Sequence, residues 1–413
     1  MKTDRTVLHL QIARTLRSIT QGIAVVDLTL YLKALHWTAA AIGGVLTVAG
    51  LVGALLIVLV GVLSDKVGRK PFLLVYETIM TIGTLLMTFT ANPVILTVII
   101  VVTGFGRGQN GAAGPFTPAE QAWMAAHVPQ AARGQVFSMN NALGFFGMAI
   151  GALLGGANHL WQRQFPLVLS YRPLFFVMFI LSLVCLVVLY TTPNENRRAA
   201  KVAPVGTGPT GTDAASGAVV AEGTERREEN RNMLKLASVN ALNGLAIGLM
   251  GPMMSYWFAT KFGVSSAQIG VTLALSFVFT GVSSLVTSVI SKKFGMVKSV
   301  VWLQVCGVCL ILILPLFSSF FIASAIYIAR SALSRGTQGA RSALSTSLTR
   351  DERRGFSVSM NALSMRLSSS IGPTFSGYLL DTGALSLPFY ISGTLQLASS
   401  LLYGRLFSRF DKA

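Results

Sequence analysis

Twelve apolar runs, each long enough to cross a lipid bilayer, recur along the chain. They cover residues 12–33, 39–63, 72–91, 94–126, 134–157, 172–192, 232–259, 266–290, 298–318, 320–348, 355–380 and 384–408. About 20 apolar residues suffice for a helical span of the hydrocarbon core. Inside lipid every backbone N–H and C=O must be satisfied internally, so a chain of this kind folds as a bundle of helices. Charge content agrees: 12% of the 413 residues are charged, against about 25% in soluble domains. The expected fold is therefore an all-α membrane protein with twelve transmembrane helices. The opening MKTDRTVLHLQIARTLRSIT lacks an uninterrupted apolar core and a small-residue cleavage site, and so does not read as a cleavable signal peptide.

The formal net charge is +18. Its placement argues against nucleic acid as a partner, because most Lys and Arg fall in alternate loops between spans, as the positive-inside rule expects. Cys185, Cys306 and Cys309 all lie in apolar runs and read as small packing residues, with no cationic neighbour in sequence to activate a thiol.

Residues 193–231 are rich in Gly, Ala, Thr and charge and nearly free of large apolar side chains. Such a stretch cannot bury enough surface to order itself, so it reads as a disordered linker between an N-terminal half, 1–192, and a C-terminal half, 232–413. Its Arg197, Arg198, Lys201, Arg226, Arg227 and Arg231 place it in the cytoplasm, and an even number of spans per half puts both termini there too. Opposite-side loops carry only Lys33, Arg163, Arg172 and Lys261. The halves also repeat. RGQVFSMNNALGFFGMAIGALLGG from Arg133 aligns without gaps to RGFSVSMNALSMRLSSSIGPTFSG from Arg354, an offset of 221 (354 − 133). Both copies run in the same direction, the mark of a parallel repeat whose halves enclose a central cavity near the midplane.

GVLSDKVGRK, residues 61–70, sits between spans 2 and 3 and resembles the G-x-L-x-D-x-x-G-R-K signature of the major facilitator superfamily. The resemblance, with twelve spans, two halves and a cytoplasmic linker, covers nearly the whole chain. It implies a secondary transporter whose spans 1, 4, 7 and 10 line the cavity. It also implies that Gly61, Asp65, Gly68, Arg69 and Lys70 form a cytoplasmic gate, with Asp65 facing the start of span 11 near Gly355. Read by themselves, the glycines allow a close turn, Asp65 and Arg69 can pair, and the basic residues set topology. The second-half counterpart, ISKKFGMVK at 290–298, keeps Gly295 but has Lys292 in place of the aspartate.

Span 4 carries Arg107-Gly-Gln-Asn-Gly111, which resembles the R-x-x-Q-G motif of drug:proton antiporters with Asn110 in place of Gln. Span 10 fits that pattern in full at Arg335-Gly-Thr-Gln338-Gly339, with Arg330 competing for the equivalent position. An ionisable residue at the bilayer centre costs about 2.5–3.5 kcal/mol on insertion scales, so it faces an aqueous cavity or a partner. The acidic partner expected for Arg107 is Asp27, deep in span 1. The two form either a proton-coupling pair or a fixed ion pair that orients two helices. Thr117-Pro118-Ala119-Glu120 reads as a helix restart with Glu120 closing a capping box; alternatively Glu120 is a second titrating site or a partner of Arg69.

On span 5, Gly147, Gly151, Gly155 and Gly156 form a small-residue stripe suited to close helix packing. The antiporter resemblance would place a Gly-Pro here, and the chain has it instead on span 11, at Gly372-Pro373. Arg366 on span 11, with Arg330 or Arg335, would make the second-half cavity positive, or else it snorkels toward the cytoplasm. Glu77 is expected to meet Arg14 or Arg17. Nothing in the sequence resembles a metal-ligand cluster, a nucleophile–base arrangement or a nucleotide loop, so neither an enzyme nor a cofactor is expected. The resulting expectation is a proton-coupled exporter of a small amphipathic or anionic compound in a prokaryotic plasma membrane, functional as a monomer. A nutrient importer and a non-transporting sensor are the alternatives.

Overall fold

The computed structural model describes residues 4–106, 117–129, 132–162, 164–193, 215–338, 341, 344 and 354–411. These form fourteen α-helices: α1 (Arg5–Ala34), α2 (Ala39–Val67), α3 (Arg69–Phe89), α4 (Pro93–Thr103), α5 (Thr117–Ala126), α6 (Arg133–Gly156), α7 (Arg172–Thr191), α8 (Ala215–Met250), α9 (Met254–Phe262), α10 (Ser266–Phe294), α11 (Met296–Ile313), α12 (Phe320–Gly336), α13 (Arg354–Asp381) and α14 (Leu387–Phe407). The twelve expected spans map onto them, with span 4 divided into α4 and α5 and span 7 into α8 and α9. Among the described residues, seven helices qualify as bilayer-spanning by length and composition alone.

Local chemistry sets the ends. Asp4 Oδ1 accepts from Thr6 N at 2.9 Å and Thr38 Oγ1 from Ala41 N at 3.1 Å, capping α1 and α2. Asn92 caps α4 ahead of Pro93. Gly68, at φ +111° between α2 and α3, takes a backbone conformation that side chains disfavour. Gly251-Pro252 separates α8 from α9, since proline cannot continue the hydrogen-bond ladder. Residues 194–214 of the expected linker lie outside the described residues, and α8 begins within its second part.

Large apolar side chains line the outside while several charged ones are enclosed with the apolar core. Leu55, Val58, Phe321 and Trp302 are exposed, while Arg14, Arg17, Asp27, Glu77, Glu120, Arg330 and Arg341 are buried. Lipid is as apolar as a leucine side chain, so helices gain little by hiding leucine and much by enclosing polar groups. Of the cysteines, Cys185 is buried as expected, but Cys306 and Cys309 are exposed on α11 and do not pack inward.

The halves meet through two related helix pairs, α2 with α13 and α6 with α10. Within each half, a glycine stripe lets the first span touch the fifth. Gly147 faces Thr15 and Ser18 of α1, Gly151 faces Ile19 and Gly22, and Gly155 faces Val26 and Asp27. In the second half Gly372 of α13 lies against Gly248 and Leu249 of α8. Gly156 differs: it faces Ser266 and Ala267 of α10, across the boundary between halves.

Candidate functional site: a two-sided polar interior

The bundle interior holds three groups of charge. The first is on α1. Asp27 is fully buried, and neither carboxylate oxygen has a hydrogen-bond partner among the described residues. A Cβ at Gly155 would stand 3.2 Å from its Oδ2, so the glycine provides the space that the carboxylate occupies. The other half comes close: Ser255 Oγ of α9 donates to Val25 O at 2.7 Å, two residues along α1. Arg107 and Asn110, expected to complete this site, lie outside the described residues.

The second group lies about 15 Å nearer the linker end of α1, by helical rise. Arg17 Nε is 3.3 Å from Glu77 Oε2 of α3, and its Nη1 is 2.8 Å from Glu120 Oε2 of α5. All three side chains are buried. Of the two arginines expected opposite Glu77, Arg17 is the one in contact. Glu120 thus reaches α1, and Arg69 Nη1 donates to the Ala122 carbonyl of the same helix at 3.0 Å. Lys70 Nζ donates to the carbonyls of Tyr190 and Thr192 at 2.9 and 2.6 Å, tying α3 to the end of α7. Nothing is described of the Gly61 and Asp65 side-chain surroundings, so the expected latch to span 11 lies outside the described residues. Arg366 of α13 is near enough to Arg14 and Tyr76 for its charge to act on both.

The third group lines a cavity of about 130 Å³ in the C-terminal half, between α8, α11, α12, α13 and α14. Arg330, Arg335 and Arg341 border it with Gln304, Gln338 and Gln396. Arg341 Nη1 donates to Asn240 Oδ1 at 3.2 Å and its Nη2 to Gln304 Oε1 at 3.0 Å, while its guanidinium lies 4.9 Å from the Tyr403 ring centroid. Asn240 also donates to Asn361. Arg330 Nη2 is 3.5 Å from Gln396 Oε1. The sequence contains no Asp or Glu between residues 232 and 350, nor between 353 and 380. The membrane-embedded part of this half therefore has no carboxylate of its own to face its arginines. Arg335 and Gln338 were expected from the span 10 motif. Arg341, Gln304 and Gln396 were not, and the acid-free stretch was the signal that could have found them.

At the end away from the linker the halves are joined. Asp381, the last residue of α13, accepts from Ala39 N and Ala40 N at the start of α2, both at 2.8 Å. Lys33 Nζ donates to Thr260 Oγ1 at 2.9 Å and lies 4.9 Å from the Tyr256 ring centroid. Thr374 Oγ1 donates to Thr47 Oγ1 at 2.7 Å. At the linker end of the second half, Asp411 accepts from Val297 N and Lys298 N at 2.7 and 2.8 Å and caps α11, where the sequence had shown only a degenerate gate motif. Among the described residues no group of His, Cys, Asp and Glu could hold a metal ion.

Known proteins place this architecture. The profile of the Major Facilitator Superfamily matches residues 11–223 and 236–411. The uncharacterized membrane protein YJR124C of Saccharomyces cerevisiae is 21% identical over 424 aligned positions, covering 96% of this chain and 92% of the yeast protein. The fold is similar to that of a bacterial homolog of the human lysosomal transporter Spinster in an inward-facing, unoccupied conformation (TM-score 0.70, 16% identity, 100% of this chain and 97% of that one). It is similar also to the nucleoside transporter NupG (TM-score 0.71, 13% identity, 98% and 99%) and to a D-xylose-proton symporter (TM-score 0.70, 14% identity, 97% and 96%). At these identities the structures speak to fold alone. With two helical halves, buried charge in each and a profile match along almost its whole length, the chain belongs to the Major Facilitator Superfamily of membrane transporters.

Proposed function

We propose that the protein is a proton-coupled secondary transporter that works by rocking its two halves about the central polar interior, exporting a small amphipathic or anionic compound across the plasma membrane. Asp27 carries the reading. Its buried carboxylate has no hydrogen-bond partner among the described residues, a state costly to keep charged, and it sits beside a contact between halves, where rocking would open it to water. Arg107 is assigned the role of sensing its charge. The joined end, held by Asp381, faces away from the linker; with the linker and both termini in the cytoplasm, the protein is closed to the outside.

The test is proton movement in everted vesicles. A pH-sensitive dye reports a pre-formed gradient while cationic, neutral and anionic compounds are added, for wild type and Asp27→Asn. Compound-dependent collapse of the gradient, lost in Asp27→Asn, supports proton-coupled export. A compound that deepens the gradient identifies symport, the import reading. Solute equilibration that is equal in both proteins, with no proton movement, eliminates coupling through Asp27.

A further inference from the structure

We infer that the cavity in the C-terminal half is an oxyanion site, in which Arg330 and Arg341 bind the carboxylate or phosphate group of a small organic acid. This deepens the transport reading and rests on it, since it names the chemical class of the solute. Three observations carry it. Arg330 and Arg341 are 93% and 94% buried (7% and 6% exposed), and among the described residues each keeps an Nε without a hydrogen-bond partner. No acidic residue occurs in the membrane-embedded part of that half, so the counter-charge has to come from outside it. The amides around them are arranged to hold cations and not to neutralise them: Asn240 and Gln304 accept from Arg341, and Gln396 faces Arg330.

The alternatives are weaker physically. Among the described residues neither guanidinium has a counter-ion, a destabilising state for a buried arginine, and the two stand at one cavity beside Arg335. Arg341 is fixed by two amides and the Tyr403 ring, so its fork is pre-organised. Arg330 has one long contact among the described residues, to Gln396 at 3.5 Å, which leaves most of its donors for a ligand. A planar fork pairs with carboxylate or phosphate through two parallel N–H···O bonds. A neutral sugar or an organic cation would leave the charges uncompensated or add to them.

The experiment is thermal unfolding of the purified full-length protein in detergent, titrated with succinate, glycerol 3-phosphate and inorganic phosphate. Glucose, tetraethylammonium and chloride at matched ionic strength serve as controls. A saturable rise in the unfolding midpoint with at least one oxyanion, and with no control, is expected. The carboxylate and phosphate arms then tell the two ligand groups apart. Arg330→Gln should raise the half-saturating concentration by about ten-fold or more, and Arg330→Lys, which keeps charge without the fork, by less. Ala362→Phe, which fills the cavity without removing a charge, should abolish the rise and keeps the test usable if Arg330→Gln does not fold. No oxyanion effect in wild type, or an effect in Arg330→Gln and Ala362→Phe equal to that of wild type, overturns the proposal. Oxyanion binding without proton movement in vesicles would keep this site and remove the coupling. Proton movement driven only by neutral or cationic compounds would keep the coupling and overturn this site.

Discussion

Asp381 caps a helix that belongs to the other half of the molecule: its Oδ1 accepts from the Ala39 amide at 2.8 Å and its Oδ2 from Ala40 at the same distance. The carboxylate thus satisfies two orphan donors at the positive end of α2. A capping side chain is worth about 1 kcal/mol, or roughly five-fold in a two-state ratio. Asp381→Ala should therefore shift the population toward the form open at this end by about that factor. Spin-label distances between the far ends of α2 and α13 would read the shift. An unchanged distribution would mean that the glycine contacts alone hold this end.

The Arg17 cluster makes a ranking. Arg17→Gln leaves Glu77 and Glu120 facing each other without a cation between them, whereas Glu120→Gln leaves Arg17 paired to Glu77. Removing one member of a buried ion pair costs about 3–5 kcal/mol. Arg17→Gln should sit in that range and Glu120→Gln well below it. Thermal midpoints of the two purified proteins would check the order, and a reversed order would show that Arg17 has another role.

Asp27 should behave oppositely. Its carboxylate has no hydrogen-bond partner among the described residues, so none of the contacts described there would be lost in Asn. Asp27→Asn should leave the unfolding midpoint equal to or above that of wild type. A drop comparable to that of Arg17→Gln would reveal a stabilising partner and favour the fixed-pair reading of Asp27.

Two glycines on α6 separate packing from gating. A side chain at Gly151 would run into the Ile19 carbonyl within the N-terminal half, so Gly151→Val should destabilise the protein by about 1–3 kcal/mol. A Cβ at Gly156 would stand 3.2 Å from Ala267 Cα of the opposite half. Gly156→Val should instead favour separation at this end with a smaller loss of stability. Accessibility of a cysteine introduced at Ala267 would measure it, rising in Gly156→Val and not in Gly151→Val.

Much of the scaffold was legible because lipid imposes a simple rule on sequence. Runs of about 20 apolar residues, an Arg-Gly repeat at a fixed offset and a Gly-Arg-Lys turn were enough for spans, halves and family. The halves show what such local reading cannot reach. Glu120 and Arg341 both stand 13 residues before the repeated Arg-Gly (133 − 120 and 354 − 341), yet one is an anion bound to Arg17 and the other a cation bound to two amides. The capping-box reading of Glu120 looked three residues along the chain, while its partner is 103 residues away in sequence.

The sequence by itself determined that the chain spans a membrane twelve times in two related halves, because hydropathy and repeats are properties of contiguous residues. Tertiary structure decided which buried charges meet: Arg17 between two glutamates, Asp27 with none among the described residues, three arginines around one cavity, Asp381 across the halves. Pairing of this kind depends on helix rotation and on which helix lies alongside. Both are set by close packing at glycines far apart in sequence.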